Sequence, residues 1–97
     1  MVNLTLVHER TLVGAVDSFL GQLVHVRPHL AGAYRQHLEV MAEHWLATGQ
    51  PNLLEMVPPS WLKKYLQVPH YEHHQSALRD FYVWAVRENL LERSPLE

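Results

Sequence analysis

Gln75, Ser76 and Arg79 stand three and four positions apart at the head of the stretch QSALRDFYVWAVRENLLERSP. On a helix this spacing puts them on one side. A row of such groups can meet phosphate oxygens or base edges when a helix enters the major groove of a duplex. The plainer reading of the same row is a solvated face, with Arg79 paired to Gln75 or Glu72.

The run HYEHH, His70 to His74, invites a metal reading. Zinc needs three or four converging N, S or O ligands, and His70 with His73 or His74 offers two from adjacent turns. No source for the rest is evident, so no metal site is assigned. These histidines are read as surface or DNA-facing groups at a helix start, where unpaired backbone amides suit a phosphate oxygen better than a cation. His37 and His44 flank an apolar stripe and are read as partly buried, hydrogen-bonded imidazoles, since no nucleophile accompanies them. Tyr34, Tyr65 and Tyr82 lack a basic cluster that would lower a phenol pKa. They are read as packing residues with the hydroxyl near the surface. No catalytic residue and no cofactor is expected.

The elements that must carry these groups follow from apolar spacing. Thr11 is a plausible N-cap for a first helix whose Leu12, Val16, Phe19 and Leu23 recur at helical intervals. Pro28 opens a second helix with Leu30, Tyr34, Leu38, Met41 and Trp45 in a narrow arc, and Gly49 and Pro51 end it. Residues 50–57 read as a loop with Leu53, Leu54 and Met56 tucked against the core. Pro58 is driven out of the helical region by Pro59, which predicts a short helix from Pro59 to Gln67 with Trp61, Leu62, Tyr65 and Leu66 inward and Lys63 and Lys64 outward. A last helix is predicted from about Tyr71 to Asn89, its buried face centred on Phe81 and including Ala77, Leu78, Trp84 and Ala85. No strand pattern or internal repeat competes, so the expected fold class is all-α with four helices.

Composition bounds the rest. With 97 residues, 47% hydrophobic and 19% charged, the chain has material for one core and no second lobe. The absence of cysteine removes disulfide, redox and thiolate-metal chemistry and fits a reducing cytoplasm. The opening residues lack a basic region and are interrupted by His8, Glu9 and Arg10, so they read as neither signal peptide nor membrane span. Residues 1–10 are expected to be a flexible arm, 11–95 the folded domain, and Leu96-Glu97 a cloning-tag remnant. The formal charge of −2 opposes a strongly electrostatic nucleic-acid binder. Eight histidines temper that objection, because protonating all eight takes −2 to +6.

AYRQHL on the second helix, WLKKYL on the third and SALRDFYVWAVRENLLERSP on the fourth, in this order, resemble the N-terminal core-binding domain of tyrosine recombinases, or phage integrases. The similarity covers about residues 12 to 95. At Asn89 that family commonly has glycine, and asparagine also adopts the left-handed conformation.

The resemblance implies a SAM-like orthogonal bundle of four helices forming half of a clamp around double-stranded DNA. The other half would be a catalytic domain of the same parent chain, which would work as a homotetramer on DNA. The second and fourth helices look like the pair that crosses the major groove. The DNA-binding set is then Arg27, His29, Arg35 and Gln36 at the front of the second helix, Lys63 and Lys64 on the third, and His73, Gln75, Ser76 and Arg79 on the fourth. Glu39 and Glu43 would repel phosphate further along the second helix. This chain itself would not be an enzyme. The alternative is a SAM-like protein-interaction module with no nucleic-acid role.

Overall fold

The structure, a computed structural model, describes residues 10–68 and 74–96. Those residues form an all-α bundle of four helices, without a strand among them: α1 (Leu12–Val26), α2 (Pro28–Ala47), α3 (Pro59–Gln67) and α4 (Gln75–Arg87). No helix among the described residues is long and apolar enough to cross a membrane.

Local chemistry sets the helix ends. The Thr11 side chain accepts a 2.9 Å hydrogen bond from the Gly14 amide, satisfying one of the amides a helix start leaves without an intrahelical partner. Arg27 alone separates α1 from α2, and Pro28 occupies the first turn of α2, where its missing N–H costs nothing. Gly49 lies at φ 83°, a left-handed turn that reverses the chain after α2. Pro58 is extended and Pro59 opens α3, so its bounds are those predicted. Past α4, Asn89 takes φ 61°, and the Leu90 amide donates to the Ala85 carbonyl, closing the helix with asparagine in the role usually given to glycine.

One core serves all four helices. Leu12, Val16, Phe19 and Leu20 of α1 meet Tyr34, Leu38, Met41 and Trp45 of α2 and the Ala77, Leu78, Phe81, Tyr82, Trp84 and Ala85 face of α4. Phe19, Phe81 and Trp84 form an aromatic cluster with centroids 5.6 to 6.1 Å apart, within the range where tilted and offset ring pairs attract. Trp84 Nε1 donates to Gln22 Oε1 at 3.1 Å, so its polar edge is satisfied at the rim. The short α3 attaches to α2 through rings: Trp61 lies 5.2 Å from Trp45, and Tyr65 meets His44 at 5.7 Å.

Several expectations need correction. Leu53 and Met56 are not tucked in, being 38% and 49% exposed; Leu54 and Val57 are buried instead. A 3-10 turn over Leu54–Met56 winds more tightly than an α-helix, and an extended Leu53 precedes it, so only Leu54 of the turn is buried. The Tyr82 hydroxyl is not near the surface: the residue is fully buried, and its oxygen has no hydrogen-bond partner among the described residues. The ring occupies the Phe81 side of α4, where apolar packing outweighs the cost of burying one hydroxyl. His44 is exposed rather than partly buried, its ring edge against Tyr65 at 5.7 Å. The described part of α4 begins at Gln75, and the predicted start at Tyr71 lies outside the described residues.

Candidate nucleic-acid interface

Ten residues were expected to meet a duplex. His73 lies outside the described residues; the other nine are all exposed. Their groupings differ from the sequence order. Lys63 of α3 and Gln75 and Arg79 of α4 line one groove of about 430 Å³, together with Leu66, Gln67, Pro95 and Leu96. Gln75 and Arg79, one helical turn apart, thus share a stripe of α4 that looks toward the end of α3. Lys64 is exposed but does not line this groove.

Ser76 and Asp80 form the neighbouring stripe of α4, and this one looks toward α2. The Tyr34 hydroxyl donates a 2.7 Å hydrogen bond to Asp80 Oδ2, joining α2 to α4 across 46 positions. Burial, then this bond and the nearby carboxylate charge, push the Tyr34 phenol up to about 12, while the Arg27 guanidinium pulls it the other way. Lys63, Arg79, Asp80 and Arg27 are exposed, while the Tyr34 ring that reaches Asp80 is buried between α2 and α4.

The front of α2 holds a second depression of about 540 Å³, lined by Val26, Arg27, Pro28, His29, Leu30 and Ala33. Val26 is 75% exposed there. Arg35 is committed elsewhere: its Nη1 lies 3.3 Å from Glu39 Oε1, an exposed i,i+4 ion pair. Gln36 is exposed but lines neither depression. Arg79, in contrast, has no salt bridge among the described residues, and no hydrogen bond joins it to Gln75, the partner of the plainer reading. Glu72 lies outside them.

His74 is not a surface or DNA-facing group. It is 5% exposed, shares a 2.9 Å hydrogen bond between its Nδ1 and the Tyr65 hydroxyl, and stacks on His37 at 4.2 Å. His74 stands four residues before Leu78 and seven before Phe81, so the buried spacing of α4 continues to the residue just ahead of its first and carries His74 against Tyr65 of α3. His70 and His73 lie outside the described residues. Among those described, no three His, Asp or Glu side chains are grouped to hold a metal ion.

Sequence reasoning missed Asp80 and its clasp to Tyr34. Asp80 is four after Ser76 and next to Arg79, so its exposure was legible; its partner on α2 was not. Compared with protein-family models, curated proteins and solved structures, the chain matches none.

Proposed function

We propose that this chain is a DNA-contacting helical domain of the core-binding type, similar to the N-terminal domain of tyrosine recombinases. The observation that carries the reading is the convergence of Lys63, Gln75 and Arg79 on one open groove between α3 and α4. A phosphate strand lying along that groove meets an ammonium, an amide and a guanidinium, and Arg79 offers a planar fork suited to two phosphate oxygens. Arg27 extends the contact to the front of α2. The bond from Tyr34 to Asp80 holds α2 and α4 in a fixed relation, so both can track one duplex.

Function in this reading is positioning. Backbone contacts set register and orientation, and strand cleavage belongs to a catalytic domain of the parent chain, assembled as a tetramer on two duplexes. The SAM-like arrangement and the recombinase assignment rest on the order AYRQHL, WLKKYL, SALRDFYVWAVRENLLERSP.

With Arg27, Lys63 and Arg79 as the phosphate contacts, log K for a duplex should fall with log salt at a slope of about −3. Titration of a labelled duplex across salt concentrations, at pH 6 and pH 7.5, tests this. Binding should be stronger at pH 6 than at pH 7.5 for a chain with eight histidines. No binding at low salt and pH 6 overturns the proposal in favour of a helical interaction module.

A further inference from the structure

The paired helices α1 and α2 leave a second kind of surface that the DNA reading does not use. Val13, Val16 and Asp17 of α1 and Glu39, Ala42, Glu43 and Leu46 of α2 line a groove of about 220 Å³. On α2 these are positions i, i+3, i+4 and i+7, one face of the helix; on α1 they are i, i+3 and i+4. Val16 and Ala42 are buried, while Val13 and Leu46 are 38% and 37% exposed. Asp17, Glu39 and Glu43 are all exposed beside them. Glu39 is shared with Arg35, but among the described residues no cation pairs with Asp17 or Glu43.

We propose that this groove docks a basic amphipathic helix of a partner protein. Two packed helices present a furrow that takes a third, with an apolar anchor entering between them. Charge decides which helix. Asp17 and Glu43, which pair with no cation among the described residues, flank an apolar lining; they repel an acidic segment and draw a lysine- or arginine-bearing one. Lysine suits the geometry, since its aliphatic stem can lie along Val13 or Leu46 while the ammonium reaches Asp17 or Glu43. The groove shares no lining residue with the groove between α3 and α4, so a bound partner leaves Lys63, Gln75 and Arg79 open.

The test uses the full chain and two short helical peptides, one of leucine and lysine and one of leucine and glutamate. The leucine–lysine peptide should bind and shift the backbone amide resonances of Val13, Asp17, Ala42 and Leu46, while the leucine–glutamate peptide should not bind. The double variant Asp17→Lys, Glu43→Lys should weaken binding about tenfold. The variant Glu88→Lys, Glu92→Lys makes the same charge change away from the groove and should leave affinity unaltered. Thermal melts establish that both variants fold. Absence of binding, resonance shifts centred elsewhere, or equal weakening by the two double variants would overturn the proposal.

Discussion

The hydroxyl of Tyr34 lies 2.7 Å from Asp80 Oδ2, and this one bond fastens α2 to the exposed side of α4. It links α2 to α4, the helix that carries Arg79, and Asp80 places a negative charge next to Arg79 in sequence. The clasp therefore positions the cationic groups while diminishing their field.

Asp80→Asn separates these two effects. An amide oxygen can still accept from Tyr34, so the fold should persist with a loss of about 1 kcal/mol or less in urea denaturation. Duplex affinity at low salt should rise by about threefold as the carboxylate charge is removed. Weaker binding by this variant would mean that Asp80 orders the surface more than it opposes phosphate.

Tyr82→Phe removes a hydroxyl that is buried without a partner among the described residues. Stability at neutral pH should be unchanged or higher, because deleting an unsatisfied polar atom from a core relieves a desolvation cost. A loss of more than about 1 kcal/mol would show that the oxygen contributes to the packing.

Alkaline pH supplies a second readout of both tyrosines. Burial pushes the Tyr82 phenol up, and the Tyr34 phenol rises from 10.0 to about 12. Between those values the folded state keeps protons that the unfolded chain releases. Stability is accordingly complete below pH 10 and falls as pH rises toward 12. Denaturation profiles at pH 9 and pH 11 should show the drop, and Tyr82→Phe should make it shallower. A drop of equal size in the variant would remove Tyr82 as a cause.

Phe81→Ala empties the centre of the buried α4 face, where the ring contacts Phe19, Tyr82 and Trp84. The expected cost is about 3 to 5 kcal/mol, measured by chemical denaturation. A cost below about 1 kcal/mol would show that neighbouring rings collapse into the space.

Much of the architecture was legible because it is written in local chemistry. The Pro58-Pro59 pair defined α3 to the residue, Thr11 marked the start of α1, and apolar spacing found the buried face of α4. Periodicity says which side of a helix is buried, but not what lies opposite. That is why the Tyr82 hydroxyl was expected near the surface and His74 on it, and why Asp80 went unnoticed. It also explains the candidate site: the spacing put Gln75 and Arg79 on one stripe, yet only the packing of α3 against α4 brings Lys63 to them.

The central claim is that Lys63 and Arg79 form a phosphate-gripping groove on a stable helical frame, and it is tested by duplex binding of Arg79→Ala and Lys63→Ala beside the parent chain. Both side chains are exposed, so melting temperatures should stay close to that of the parent. Each substitution should weaken binding and reduce the slope of log K against log salt by about one. Unaltered affinity in both variants, with the fold intact, would contradict the account.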